Sequence, residues 1–308
     1  GNKYVHLRTI LAAFRQPINQ SKRIRLMRKT VESLSTWLRR IERWTVLTGA
    51  GISADSGIPT YRDQAGKWLR VDPIQHKEFI ESDQKRKRYW ARSMVGWPGV
   101  ERALPNAHHA AIATLERIGK VSTVITQNVD RLHQKAGSQR VIDLHGRLDR
   151  VVCLSCGQHE PRATLQARLT SQNPFVANYS HIAKPDGDAD VPDHFVAQTQ
   201  EPLCTSCGGI LMPDVVFFGG TVPKPRVDAC VDALNNSTGL LVVGSSLQVY
   251  SGFRFCRMAE KLRMPIVIVN EGDTRADDIA TLKVSDAGLS RLVSAVDQIT
   301  PHQERKSA

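Results

Sequence analysis

No apolar run in this 308-residue chain approaches the roughly 18–20 residues that a bilayer-crossing helix needs, so no transmembrane helix is predicted. No secretory signal is predicted either. Six cysteines without one point to a reducing compartment, and four of them fall in two Cys-x-x-Cys pairs while Cys230 and Cys256 stand alone, which speaks against a disulfide framework. Acidic residues are absent from residues 1–31, which carry eight basic ones. Taking those eight from the formal net charge of +12 leaves +4 for the rest, so the body of the chain is close to neutral. A near-neutral body matches a phosphate backbone poorly, and nucleic acid is not expected as a partner. Apolar residues are not scarce. At 41% they suffice for one large domain, with or without a small satellite.

The acid-free opening fits an Arg-rich transit peptide, a nucleic-acid arm or a solvated tail. Met27 adds a fourth reading, in which the natural start lies there and residues 1–26 are an upstream extension. Val31, Leu34, Trp37, Leu38 and Ile41 recur at helical spacing and predict the first helix.

Four short β-rich runs follow, at 44–48, 121–126, 239–243 and 265–269, with helical stretches such as 107–118 and 252–263 between them. Apolar strands alternating with helices predict an α/β fold with a doubly wound parallel sheet, in which ligands sit beyond the carboxyl ends of the strands. Every one of these strand ends carries glycine, amide, hydroxyl or acidic residues: Gly49-Ala-Gly51, Gln127-Asn128, Gly244-Ser-Ser246 and Asn270-Glu-Gly272. Two segments break the alternation. Residues 70–105 are charged and aromatic and read as a helical insertion; residues 150–208 carry the cysteine pairs.

Gly49-Ala-Gly51 has two glycines of a pyrophosphate-binding turn, with a helix start expected at Ser53 or Asp55. The third glycine is replaced by Ala54, so a simple tight turn fits the motif as well. Cys153, Cys156, Cys204 and Cys207 form two short pairs, each followed by glycine. Four thiolates satisfy one tetrahedral zinc with no position to spare, which makes the predicted site structural rather than catalytic. Asp186-Gly-Asp188-Ala-Asp190 resembles a calcium loop only superficially, lacking the glycine and glutamate that such a loop needs, and reads as a solvated acidic turn. His145, just after the apolar run 141–144, can serve as a base near neutral pH, although a lone histidine is more often structural.

Together these pieces resemble the sirtuin family. The resemblance rests on Gly49-Ala-Gly-Ile-Ser53, Gly57-Ile-Pro-Thr-Tyr-Arg62, Thr126-Gln-Asn-Val-Asp130, Leu144-His-Gly146, the two cysteine pairs, Pro213-Asp-Val-Val-Phe-Phe-Gly219, Gly244-Ser-Ser-Leu247 and Asn270-Glu-Gly272. These motifs stand in the family's order over roughly residues 35–295. Tyr89-Trp-Ala-Arg92, Gly96-Trp-Pro98 and Val249-Tyr-Ser-Gly252 resemble the class II branch, which includes the mitochondrial sirtuin 4 type and many bacterial relatives.

The resemblance implies a Rossmann-type sheet with a smaller zinc-ribbon plus helical domain. It divides the chain into a leader (1–30), a catalytic domain (31–300) and a tail (301–308). Within the catalytic domain the Rossmann part would be 31–69, 106–149 and 209–300, the helical insertion 70–105 and the zinc module 150–208. It implies an NAD-dependent protein-lysine deacylase with one structural Zn²⁺, whose partners are acylated-lysine proteins and no membrane. The acyl-lysine oxygen would attack the ribose carbon that bears nicotinamide; His145 would then act as base on a ribose hydroxyl, with Asn128 beside it. Gly49, Ala50, Gly51, Asp55, Tyr61 and Arg62 would line the NAD site. Gln127 would contact the nicotinamide ribose, and Asn128, Val129 and Asp130 would line the nicotinamide pocket. Gly244, Ser245, Ser246, Asn270, Glu271, Gly272 and Ala287 would hold the adenosine half. Val215, Val216 and Phe217 would pair with an extended substrate backbone, a mode that says little about substrate sequence.

Gly220 stands where the family commonly has an acidic residue. Tyr89 and Arg92 fall where acid-preferring members place a tyrosine and an arginine against an acyl carboxylate, which predicts a preference for longer or carboxylated acyl groups. The competing reading has Tyr89 packing the insertion helix and Arg92 as a surface cation. A mono-ADP-ribosyltransferase on the same scaffold and a non-catalytic NAD-sensing or nucleic-acid-binding module are the alternative functions. The compartment would be the cytoplasm for a bacterial chain and the mitochondrial matrix for a eukaryotic one.

Overall fold

A computed structural model describes residues 33–60, 73–179, 187–286 and 288–301. Expectations that fall on the leader, Met27, Val31, Tyr61, Arg62, Asp186, Ala287 and residues 302–308 lie outside the described residues.

The described residues form nine strands: β1 (Trp44–Thr48), β2 (Val121–Thr126), β3 (Val141–Asp143), β4 (Gly146–Cys153), β5 (His159–Pro161), β6 (Leu211–Val215), β7 (Gly239–Val243), β8 (Ile266–Val269) and β9 (Leu282–Val284). Six of them make one parallel sheet in the order β3-β2-β1-β7-β8-β9. The central strands are buried along their whole length, and their residues alternate between two cores. Val46, Leu241, Val243, Val267 and Val269 point to one face, against the helices Leu34–Arg40, Ala107–Arg117 and Ser290–Ile299. Leu47, Leu240, Val242, Ile266 and Ile268 point to the other, against Lys224–Asn235 and Tyr250–Lys261. A strand clothed on both faces needs apolar side chains of both parities, which is why these strands read as continuous apolar runs. Each such side chain contributes roughly 1.5–3 kcal/mol on burial.

The second sheet is antiparallel, in the order β5-β4-β6. Its core joins the two segments that interrupt the alternation. Phe79, Trp90 and Met94 from the helices His76–Glu81 and Asp83–Arg102 pack with Val151, Leu165, Leu169, Phe195 and Leu211.

Three boundaries differ from expectation. The turn after β1 enters a 3-10 helix at once, Ala50–Ser56, instead of starting a helix at Ser53 or Asp55. The Gly51 N–H is drawn to the Gly244 carbonyl at 2.9 Å, while Ile52 N–H reaches back to the Gly49 carbonyl at 3.1 Å and tightens the turn. The predicted helix at 252–263 begins two residues earlier, at Tyr250. The strand in the run at 265–269 begins at Ile266; Pro265 has no N–H to donate and contributes only its carbonyl, which accepts from Leu240 N at 2.9 Å. The edge strand β9, three residues with a lysine in the middle, has no periodicity long enough to read from sequence.

Candidate active site

Strands β1 and β7 are neighbours in the sheet, and the chain leaves them toward opposite edges. A crevice therefore opens beyond their carboxyl ends, at the topological switch point. The two strand-end loops touch there. Gly244 has φ +61°, and a Cβ on it would stand 2.5 Å from Ile52 N, so only glycine fits both the conformation and the contact.

The crevice deepens into a cavity of about 1100 Å³ between this edge of the sheet and the small module. Gly49, Ala50, Gly51, Asp55, Gln127, Asn128, Val129, His145, Gly244, Ser245, Ser246, Asn270 and Glu271 line it, as do Tyr89, Arg92, Val215, Val216 and Phe217. Asp130 and Gly272 are not in its wall. Asp130 lies behind, where its carboxylate accepts from Ser53 Oγ at 2.7 Å and from Leu132 N at 2.9 Å. The Gly272 carbonyl accepts from Lys283 Nζ at 2.9 Å. His108, Asp188, Ser251 and Arg254 also line the cavity; the sequence marks Asp188 only as part of an acidic turn and Ser251 only as part of a family motif, and does not single out His108 and Arg254. Ser251 and Arg254 could have been found, since they lie three residues apart at the start of the helix that follows Gly244-Ser-Ser246. Nothing in the sequence distinguishes His108.

β3 ends at Asp143 and β4 begins at Gly146, so His145 sits in the crossing between the two sheets. Gly146 makes that crossing possible: its φ is +91°, and a Cβ there would overlap the Asp214 carbonyl. The His145 carbonyl accepts from Val216 N at 2.7 Å, which ties the chain after β6 to the same point. His145 Nδ1 lies 3.0 Å from the Gln127 carbonyl oxygen. A carbonyl can only accept, so Nδ1 carries the proton and Nε2 is left as an acceptor, with the Ser251 hydroxyl donating to it at 2.7 Å. Burial pushes the His145 pKa down to about 4; the Gln127 carbonyl opposes this, and the nearby Arg226 and Arg254 add to it. The ring is therefore neutral near pH 7 and able to take a proton at Nε2.

Beneath the cavity floor lies a buried polar network. Asn128 Nδ2 donates to the Gly49 carbonyl at 3.1 Å and to Ser53 Oγ at 3.0 Å. Gln127 Nε2 donates to Ser245 Oγ at 2.8 Å and to the Thr48 carbonyl at 3.2 Å, joining the ends of β2, β7 and β1. Thr48 donates to Thr126, so His133 Nε2, 2.9 Å from Thr48 Oγ1, is the donor in that pair. The His133 and His109 rings meet edge to face at 4.9 Å, and burial lowers their pKa values to about 3 and about 4. Two neutral rings thus underlie the residues that face the cavity.

Tyr89 packs against Phe79, Trp90 and Phe217, and burial raises its pKa to about 12. Arg92 is not a surface cation. Its guanidinium is about one-fifth exposed, donates to Asp188 Oδ2 at 2.7 Å and to the Ala189 carbonyl at 3.0 Å, and so fixes the acidic turn to the cavity wall. Asp188 is consequently ion-paired and only one-fifth exposed, and Ala189 is fully buried, which corrects the reading of this turn as solvated. β6 ends at Val215, and Val216 and Phe217 continue into the cavity wall.

The four sulfurs of Cys153, Cys156, Cys204 and Cys207 lie within 4.8 Å of one another. Cys153 and Cys207 Sγ are 3.5 Å apart, and Cys156 and Cys204 Sγ 3.8 Å. A tetrahedral zinc with sulfurs at about 2.3 Å has edges of about 3.8 Å, so the donor set and its spacing are consistent with that ion. The two knuckles share their geometry: Gly157 N bonds the Cys153 carbonyl and Gly208 N the Cys204 carbonyl, both at 2.9 Å. No helix among the described residues is long and apolar enough to cross a membrane.

A model of the Sir2 family matches residues 49–251. An NAD-dependent protein deacetylase of Xanthomonas campestris pv. campestris (strain 8004) is 50% identical over 263 residues, covering 84% of this chain and 88% of the relative. The mitochondrial NAD-dependent protein lipoamidase sirtuin-4 of Homo sapiens is 48% identical over 258 residues, covering 83% and 82%. Among solved structures, a Sir2 complex with a p53 peptide and NAD⁺ superposes with a TM-score of 0.66 at 28% identity, covering 88% of this chain and 96% of that one. A strand-end cavity with a neutral histidine, a four-cysteine cluster that fits structural zinc and a match spanning both agree: the chain belongs to the Sir2 family, the sirtuins, NAD-dependent protein deacylases.

Proposed function

We propose that this chain transfers acyl groups from protein lysines to the ADP-ribose portion of NAD⁺, with His145 as general base. The observation that carries this reading is the neutral imidazole, unprotonated at Nε2, at the junction of the switch-point crevice and the small module. NAD⁺ would lie along the ends of β1, β2, β7 and β8, with its diphosphate over Gly49–Gly51 and the start of the 3-10 helix, whose N–H groups favour an anion. Gln127 and Asn128 would face the nicotinamide ribose, and Asn270 and Glu271 the adenosine ribose. The acyl-lysine would enter from the small-module side, its backbone laid along Val215–Phe217 by main-chain hydrogen bonds. Attack of the acyl oxygen on the ribose carbon expels nicotinamide. His145 Nε2 then takes the proton of a ribose hydroxyl, whose oxygen adds to the acyl carbon; water completes the release of lysine and O-acyl-ADP-ribose. Asp130, set behind Ser53, would orient the floor of the pocket and not touch nicotinamide.

The acyl preference follows from the pairing of Arg92. Its charge is already met by Asp188, and Tyr89 offers an aromatic face, so this end of the cavity is neutral overall. Such a wall suits long neutral acyl chains better than carboxylated ones, because an acyl carboxylate must displace Asp188 to reach the guanidinium. Freeing the arginine should reverse the order. With acetyl-, lipoyl- and glutaryl-lysine peptides, the wild type is expected to favour lipoyl over glutaryl in kcat/KM, and Asp188→Asn to raise glutaryl relative to lipoyl by about tenfold. A wild type that prefers glutaryl, or a variant with unchanged selectivity, contradicts the role given to this ion pair.

A further inference from the structure

The Ser251 hydroxyl has no part in the proposed reaction, yet it holds the nitrogen that the reaction needs. Ser251 is the second residue of the Tyr250–Lys261 helix, and its Oγ is bonded to His145 Nε2 at 2.7 Å instead of serving the helix terminus. The approach is enforced from the neighbouring position. A Cβ on Gly252 would lie 2.5 Å from Gln127 Oε1, so the first turn of the helix is pressed onto the residue whose carbonyl holds Nδ1. Both ring nitrogens are thus gripped between a strand end and a helix start.

We propose that Ser251 is a positioning residue for His145: its hydroxyl donates to the Nε2 lone pair in the resting site, yields that lone pair to the ribose hydroxyl when the substrate is in place, and then turns to accept from Nε2–H. The proposal rests on the reading of His145 as general base. In that step the ribose O–H bond breaks, its proton goes to Nε2, its electron pair forms the new bond to the acyl carbon, and the π pair of the imidate C=N bond moves onto the lysine nitrogen. As the ribose oxygen becomes bonded to carbon it weakens as an acceptor, and Nε2–H needs another partner. The charged groups that bear on the ring are Arg226 and Arg254, both of which disfavour an imidazolium. A serine hydroxyl can donate to the neutral ring and accept from the charged one by rotating about a single bond, and it gives up no proton of its own.

Nicotinamide departs before the base acts, which separates Ser251 from a merely structural role. Wild type, Ser251→Ala, Ser251→Thr and His145→Ala should be compared for exchange of labelled nicotinamide into NAD⁺ and for O-acyl-ADP-ribose formation between about pH 5 and pH 9. Ser251→Ala is expected to slow acyl transfer about 10- to 100-fold and to leave nicotinamide exchange within about twofold. Ser251→Thr, which restores a hydroxyl, should recover most of the rate. Unchanged acyl transfer in Ser251→Ala, an equal loss of exchange, or no recovery with threonine overturns the proposal. If His145→Ala retains acyl transfer, the general-base reading itself fails; if it loses transfer while Ser251→Ala does not, only the role of Ser251 falls.

Discussion

His145→Ala should lose acyl transfer by on the order of 10³-fold while still binding NAD⁺ and still exchanging nicotinamide, as the removal of a general base from an otherwise intact site does. The separation is expected because the imidazole is held by the Gln127 carbonyl and Ser251, while the loops beyond β1 and β7 pack on each other through Gly51 and Gly244. Deleting the ring leaves those loops in place. The sign of the pH dependence follows from the same ring. A base must be unprotonated, so activity falls as pH drops through its pKa, and burial has moved that value down to about 4 from an ordinary 6.5. The acid limb of kcat/KM for the wild type should therefore lie well below pH 6. Rapid-quench product analysis on wild type and His145→Ala checks both points; a limb near 6.5, or an alanine variant with near-normal acyl transfer, assigns the proton to another group.

Loss of the zinc should be nearly as damaging, by a different route. Cys153 and Cys204 are themselves buried in the core that contains Trp90, Met94, Leu165 and Leu211. Cys153 ends β4, whose first residue follows His145, and the helix Asp83–Arg102 on the same core carries Tyr89 and Arg92 into the cavity. Removing the ion leaves four thiols crowded together with nothing to hold the knuckles, and structural zinc supplies on the order of 10 kcal/mol to small metal modules. Cys204→Ser, or chelation, is expected to release one zinc per chain, to lower the melting temperature by on the order of 10 °C and to abolish acyl transfer. NAD⁺ binding, which rests on the parallel sheet, should suffer less. A Cys204→Ser protein that melts like wild type would show that the cluster has no structural role.

The parallel sheet was legible because its strands need apolar residues of both parities, and a run such as Leu240-Leu-Val-Val243 declares that directly. The cavity wall was legible at the strand ends for a related reason: backbone that meets a ligand is built from glycine, amide and hydroxyl residues, and these stand in the sequence immediately after each strand. The four cysteines were legible because metal geometry demands short local spacing. What could not be read was anything fixed by contacts between distant segments. Arg92 and Asp188 are far apart in sequence, and neither an arginine on a helix nor an aspartate in an Asp-Gly-Asp turn reveals that the two form one wall of the site. Ser251 stands at a visible helix start, but its bond to His145 depends on a ring more than a hundred residues earlier. Asp130 stands two residues after Asn128 in the loop beyond β2, and its bonds to Ser53 and Leu132, which hold it behind the cavity wall, are not visible in the motif.

The central claim is that NAD⁺ cleavage and lysine deacylation are one reaction in one cavity. Its most direct test is the stoichiometry of a wild-type turnover, with nicotinamide, free lysine peptide and O-acyl-ADP-ribose quantified together by mass spectrometry. Equal amounts of all three are expected, with no nicotinamide release beyond a trace without acyl-lysine peptide. Nicotinamide released without deacylated peptide, with ADP-ribose appearing in solution or on a protein side chain, would contradict it.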